Sequence, residues 1–162
     1  MSLRSWTTET PLGPWTVIAD ADNVVVVSGF ESAQQTADRL PAGSESPQQV
    51  ADLGEITRAV NAYLTGKPDA LDEVQVRQPG GPFRQDVWRV MRQIPTGQTW
   101  SYSELAAKAG KPTAARAAAS ACATNMVAPF VPCHRVVRSD GSLGGYYYGL
   151  DTKRWLLALE RV

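Results

Sequence analysis

Two cysteines in 162 residues are too few for a disulfide scaffold and point to a reducing, cytoplasmic setting. One histidine, His134, cannot join two cysteines in a usual zinc site built from Cys and His alone, so no metal is expected. No apolar run approaches the roughly eighteen residues of a membrane span. The opening Met1-Ser2-Leu3-Arg4 lacks the apolar core of a secretory signal, so no membrane partner is expected. Net charge is also missing, because 16 basic residues face 16 acidic ones. Aromatics are present, with five Trp and five Tyr, which excludes a disordered chain.

The zero net charge hides an asymmetry. Residues 1–82 hold five basic and eleven acidic side chains, while residues 83–162 hold eleven basic and five acidic. A basic half beside an acidic half favours a polyanion-binding face on the second half. Arg84, Arg89, Arg92, Lys108 and Lys111 are loose candidates for phosphate contacts, though each alone reads as an ordinary solvated charge.

The pattern predicts an N-terminal α/β domain over 1–78, a linker at 79–82 and a mostly helical domain over 83–162. Trp15–Ile18 and Val24–Val27 read as a β-hairpin around the turn formers Asp20–Asn23. Residues 31–40 suit a short helix. Val50, Leu53, Ile56, Val60 and Leu64 recur at helical spacing, and Val74 with Val76 suggests a further strand. Pro79-Gly80-Gly81-Pro82 breaks the pattern. Phe83, Val87, Val90, Met91 and Ile94 then fall on one helical face. Ser103 is placed to cap a helix to Ala109, and Thr113 one from Ala114 to about Ala123. Asp151 is placed to cap the last helix, with Leu150 and Trp155 as a hydrophobic staple. Two short helices joined by a Gly-containing turn suit a helix-turn-helix.

Three signals carry chemistry. Pro132-Cys133-His134-Arg135 sets the sole histidine beside one of two cysteines, and a thiolate needs a nearby base or positive charge. A buried inert cysteine next to a core histidine gives the same text. The run Ala114–Ala123 is almost bare, with Arg116 its only long side chain. Such a helix can approach a surface closely with one cationic finger. An arginine of this kind can fill the gap left by an extruded base, and alanine is equally a plain helix former. Gly144-Gly145-Tyr146-Tyr147-Tyr148-Gly149 can wall a pocket for a flat ring or form an ordinary turn. Cys122 has no adjacent histidine and reads as a packing residue.

Together these segments resemble the O6-alkylguanine-DNA alkyltransferase family, the methylated-DNA–protein-cysteine methyltransferases. The matching text is Pro132–Val137, joined by Phe83–Trp88, Ile94–Gly97 with Ser101-Tyr102, Ala114–Ala117, Gly145-Tyr146 and Lys153–Glu160. It runs almost without gaps from Pro82 to Glu160. The N-terminal half matches loosely, through Thr10–Pro14.

The resemblance implies an α/β chain: a small ribonuclease-H-like α/β domain, then a helical winged-helix-like DNA-binding domain. It implies direct repair without a cofactor. Cys133 would take the alkyl group, mainly methyl, from O6 of a flipped-out guanine, once and irreversibly. His134 would receive the thiol proton through a water, and Glu160 would orient the imidazole. Tyr102 would donate to N3 of guanine, and Asn125 would brace the turn under Cys133. Arg116 would fill the space of the flipped base, with Ala115 and Ala117 along the minor groove. Carbonyls of Cys133 and Val136 would read the exocyclic amine, and the backbone N–H of Tyr147 would face O6. Tyr146 would line the pocket, and Tyr148 and Arg135 would join the substrate- and DNA-binding set. The partner would be double-stranded DNA carrying O6-alkylguanine, bound by a monomer in a bacterial cytoplasm, at the nucleoid when on DNA. The composition, rich in Ala, Arg and Val, fits a GC-rich bacterium.

Departures from the family pattern carry expectations of their own. Ala119-Ser120 replace a common Gly-Gly, and Ala123-Thr124 a pair that often holds arginine, so the helix would sit slightly farther from DNA. The Tyr146–Tyr148 run implies a narrow pocket that prefers methyl to benzyl. Three rival readings remain at this point: a non-catalytic lesion-binding relative, a cysteine hydrolase using Cys133 and His134, and a plain helix-turn-helix binding module. The first usually lacks the reactive cysteine, which is present here.

Overall fold

The computed structural model describes residues 2–161, and its chain divides into a sheet unit and a helical unit. The sheet unit runs up to Gln78 and also takes back Met126–Phe130. The helical unit holds Pro79–Asn125 and the chain from Val131 onward.

In the first unit, β1 (Arg4–Thr10) and β2 (Gly13–Ala19) pair antiparallel, joined across Pro11-Leu12. The Thr10 hydroxyl fixes that turn by donating to the Gly13 carbonyl at 2.7 Å, and Gly13 supplies a φ of +112°. β2 pairs antiparallel with β3 (Val25–Gly29) around a turn in which the Asp20 carboxylate accepts from the backbone N–H of Asp22 and Val24. Strand β4 (Gln48–Gln49) lies parallel to β1, giving the order β3-β2-β1-β4. Helix α1 (Ala33–Ala37) starts at a reciprocal Ser32–Gln35 capping box, and α2 (Glu55–Leu64) supplies Ile56, Val60 and Tyr63 to the core. Trp15 is fully buried and packs against Phe30, Tyr63 and Phe130. Each large apolar side chain so buried contributes about 1.5–3 kcal/mol.

The structure departs from the sequence expectations here in definite ways. β1 was not anticipated, because its polar threonines and Glu9 hide a strand held by its partner. α2 starts at Glu55, after a Gly54 at φ +64°, and leaves Val50 and Leu53 outside. The expected strand at 74–76 shrinks to one bridge between Val76 and Val25. Segment 126–130 returns because the Ser28 N–H donates to the Met126 carbonyl at 2.8 Å.

The second unit is built on α3 (Pro82–Met91), α4 (Tyr102–Lys108), α5 (Ala115–Ala123) and α6 (Leu150–Glu160). A small parallel pair, β5 (Trp100–Ser101) and β6 (Val136–Val137), links them. Pro82 opens α3 with its fixed φ, where a missing N–H costs nothing. The cap of α4 is Ser101 rather than Ser103: its hydroxyl accepts from the Glu104 N–H, and Glu104 answers on the Ser101 N–H. Neither α5 nor α6 has a side-chain cap, so Thr113 and Asp151 do not act as expected; Asp151 sits in the first turn of α6, where a carboxylate still suits the helix dipole. Among the described residues, no helix is long and apolar enough to cross a membrane.

Candidate active site

Cys133 opens a single 3-10 turn, Cys133–Arg135, that leads directly into β6. The turn closes through an Arg135 N–H bond to the Pro132 carbonyl and a Val136 N–H bond to the Cys133 carbonyl. Asn125 holds it from below, donating from Nδ2 to the Val131 carbonyl at 2.8 Å and to Cys133 Sγ at 3.3 Å. The parallel pairing of Trp100 with Val136 and Ser101 with Val137 sets Tyr102, first residue of α4, beside this turn.

Behind the cysteine lies a buried charge cluster. His134 Nε2 stands 2.6 Å from Glu160 Oε2. Arg135 donates to both Glu160 oxygens, at 2.8 and 3.1 Å, and to the Ile94 carbonyl at 2.8 Å. Burial alone would raise the Glu160 carboxyl, but the hydrogen bonds and charges of His134 and Arg135 outweigh it and bring the pKa to about 2. Burial drives the His134 pKa down, and Glu160 only partly opposes this. His134 is therefore neutral near pH 7. The proton sits on Nε2, facing the carboxylate, and leaves Nδ1 as a basic lone pair with no hydrogen-bond partner among the described residues. The Cys133 thiol is pushed up by burial and drawn partly back by the Asn125 bond and the Lys153 charge. Burial also raises Tyr102. Both groups are protonated at rest.

Lys153 is the buried charge beside the site that sequence reasoning passed over. It is fully buried, and its ammonium donates to the carbonyls of Val136 (2.8 Å), Gly145 (3.2 Å) and Leu143. These bonds clamp the Gly144-Gly145 loop to the strand after the cysteine. The signal was present: Lys153, Leu156 and Glu160 share one face of α6, and a charge at a core-facing position demands buried partners.

A cavity of about 200 Å³ opens at Cys133, lined also by Tyr102, Ala119, Cys122, Ala123, Gly145, Tyr146 and Tyr147. The Cys133 thiol, the Tyr102 phenol and two loop tyrosines thus line one space. Tyr148 does not line it; its ring packs edge-on against Tyr146 and Tyr147, at 5.8 and 4.8 Å between centroids. Cys122, read as a packing residue, lines the cavity. Trp88 Nε1 donates to the Ala121 carbonyl at 2.9 Å and fixes α5, whose buried side carries Ala118 and Ala121. Arg116 and Ala117 are exposed, and Ala115 is half-buried.

Arg135 needs correction. It is 5% exposed with its donors spent inside the protein, so it is a brace for Glu160 and not a DNA contact. The Val136 carbonyl already accepts from Lys153, and the Cys133 carbonyl from its own turn. In the first unit a cavity of about 340 Å³, lined by Asp22, Glu55 and Glu73 among others, carries no nucleophile. Among the described residues, no group of three His, Cys, Asp or Glu side chains is arranged to hold a metal.

Residues 82–162 match the family model described as 6-O-methylguanine DNA methyltransferase, DNA binding domain. The chain is 39% identical over 157 residues to the bifunctional transcriptional activator/DNA repair enzyme Ada of Escherichia coli, covering 97% of this chain but only 42% of Ada. It is 34% identical to a methylated-DNA–protein-cysteine methyltransferase of Salmonella typhimurium, covering 93% of this chain and 91% of the relative. The crystal structure of Mycobacterium tuberculosis OGT in complex with DNA superposes with a TM-score of 0.80 at 31% identity, covering 98% of this chain and 92% of that one.

Proposed function

The chain belongs to the methylated-DNA–protein-cysteine methyltransferase family, and we propose from this that it repairs DNA directly, moving the alkyl group of an O6-alkylguanine onto Cys133. The observation that carries the assignment to Cys133 is its place in one cavity with Tyr102, Tyr146 and Tyr147, with Asn125 on its sulfur.

The chemistry follows from the protonation states. Nδ1 of His134 takes the thiol proton through a water, while Glu160 holds Nε2–H and stabilises the imidazolium that forms. The sulfur attacks the alkyl carbon, the C–O6 bond breaks, and Tyr102 supplies a hydrogen bond or proton to N3 of the departing guanine. Water does not displace the thiolate from a neutral thioether, so Cys133 stays alkylated and each molecule acts once. A thiol kept protonated until its base is engaged is spared side reactions.

On the DNA side, extruding the base opens a gap in the stack. Arg116 fills it, with Ala115 and Ala117 lying along the minor groove; the bare, exposed side of α5 supports this. The backbone N–H of Tyr147 faces O6. The first unit is ribonuclease-H-like, a reading supported by three antiparallel strands with a fourth parallel to the first. The second is winged-helix-like, supported by the α4–α5 pair beside the β5–β6 strands. The protein works as a monomer on double-stranded DNA in a bacterial cytoplasm.

The test is intact-protein mass spectrometry after mixing with duplex DNA carrying one O6-methylguanine, beside Cys133→Ala. One added methyl on wild type alone is expected. Lesion binding without a mass change would reduce the protein to a recognition factor, and turnover of small acyl substrates without DNA would make it a cysteine hydrolase.

A further inference from the structure

Cys122 is a nucleophilic side chain that the repair reaction leaves unused, although it lines the same cavity as Cys133. The chain has no other cysteine, so both of its cysteines line one space of about 200 Å³. Asn125 ties their two segments together: its backbone N–H reaches the Cys122 carbonyl at 3.3 Å, and its side chain reaches Cys133 Sγ at 3.3 Å. Burial raises both thiols, the Cys133 charge raises Cys122 further, and the Lys153 ammonium partly draws each back. Cys122 lies in the last turn of α5, and a disulfide to Cys133 would bring their Cβ atoms to about 4 Å.

We propose that Cys122 is the resolving thiol of Cys133, turning an oxidised nucleophile into a reducible disulfide. The inference rests on Cys133 being the reactive residue. With hydrogen peroxide as oxidant, the Cys133 sulfur attacks one peroxide oxygen and the O–O bond breaks. Cys133 becomes the sulfenic acid, and the first water leaves. The Cys122 sulfur then attacks the sulfenyl sulfur, the S–O bond breaks, and hydroxide departs with the Cys122 thiol proton as the second water. Two thiols are oxidised by two electrons in all, and the peroxide is reduced. Without a partner thiol the sulfenic acid goes on to sulfinic acid, which dithiothreitol does not reverse. A protein that reacts once would then lose its single turn for good.

The test treats the full-length protein with hydrogen peroxide, blocks free thiols with N-ethylmaleimide, and maps peptides without reduction. Methyl acceptance from O6-methylguanine DNA is read before and after dithiothreitol. Wild type is expected to lose the mass of two hydrogens, to yield a linked Cys122–Cys133 peptide, and to regain on reduction the acceptance that oxidation removed. Cys122→Ser and Cys122→Ala, each compared with its own untreated sample, are expected to carry sulfinic acid on Cys133 and to regain nothing. Three results in wild type would overturn the proposal. These are sulfinic acid on Cys133 with Cys122 still open to maleimide, a disulfide between two molecules, or two unreacted thiols at a dose that oxidises free cysteine. If untreated protein takes no methyl yet forms the linked peptide, the repair reading fails and this one stands.

Discussion

The imidazole of His134 and the carboxylate of Glu160 meet at 2.6 Å, both shut off from solvent, although 26 residues separate them in the chain. The same carboxylate neutralises buried Arg135. Replacing Glu160 by Gln removes the orienting group and strands a buried guanidinium. We expect methyl transfer to slow by about 100-fold or more and stability to fall by about 3–5 kcal/mol. Stopped reactions read by mass spectrometry, with thermal melts beside them, measure both. A variant that melts early but transfers at the wild-type rate would leave Glu160 a structural role only.

Stability depends on pH in a direction the site dictates. The folded His134 pKa lies below its ordinary 6.5, so unfolding takes up a proton and stability falls as pH drops through that value. Glu160 is also depressed, from 4.5 to about 2, so its contribution is complete above about pH 4.5 and drains away towards pH 2. The melting temperature of wild type should therefore fall between pH 7 and 5 more steeply than that of His134→Gln. Parallel curves would mean that His134 is not held neutral. The same variant loses the base that takes the thiol proton, so its transfer rate should climb with pH towards the raised Cys133 range.

How much was legible in the sequence depended on whether a residue's role is local. The Cys133-His134 pair, Asn125 and the tyrosine loop belong to short motifs, and the placing of Cys133, the Asn125 brace beneath it and the loop that lines the cavity follow from them. Roles set by partners far along the chain were hidden. Arg135 reads as a surface cation until α6 brings Glu160 against it. Strand β1 exists because β2 pairs with it, which no pattern within Arg4–Thr10 announces. The cap at Ser101 was missed for Ser103 because both are serines near a helix start, and only Ser101 has Glu104 three residues on.

Lys153 should behave as a positioning residue. In Lys153→Met the stem fits, but three carbonyls lose their donor. Stability should drop by about 3 kcal/mol or more, since each of the three acceptors left bare costs about 1–3. The Cys133 thiol should also titrate higher, because the nearby charge is gone. The rate of iodoacetamide labelling against pH reads this directly. An unshifted labelling curve would confine Lys153 to holding the loop.

Two glycines separate backbone strain from site geometry. Gly144 and Gly141 both hold φ near +73° and +86°, so alanine at either costs about 1–2 kcal/mol. A Cβ at Gly144 would lie 3.1 Å from the Tyr102 hydroxyl, whereas one at Gly141 meets nothing within 4 Å. Both variants should melt earlier, and only Gly144→Ala should slow methyl transfer. Equal rates would mean that the Tyr102 position does not limit the reaction.

The width of the pocket rests on a residue that does not line it. Tyr148 stands behind Tyr146 and Tyr147 and buttresses both rings edge-on. With that support, wild type should accept methyl far better than benzyl. In Tyr148→Ala the two rings can fall back, while Tyr148→Phe keeps the aromatic contact. Competition between free O6-benzylguanine and O6-methylguanine DNA measures the preference. We expect alanine to raise the benzyl-to-methyl ratio by about 10-fold or more, the scale on which pockets discriminate small apolar groups, and phenylalanine to leave it near wild type. Comparable benzyl and methyl rates in wild type would show that the tyrosine run does not narrow the pocket. A Phe variant as permissive as Ala would instead assign the restriction to the Tyr148 hydroxyl.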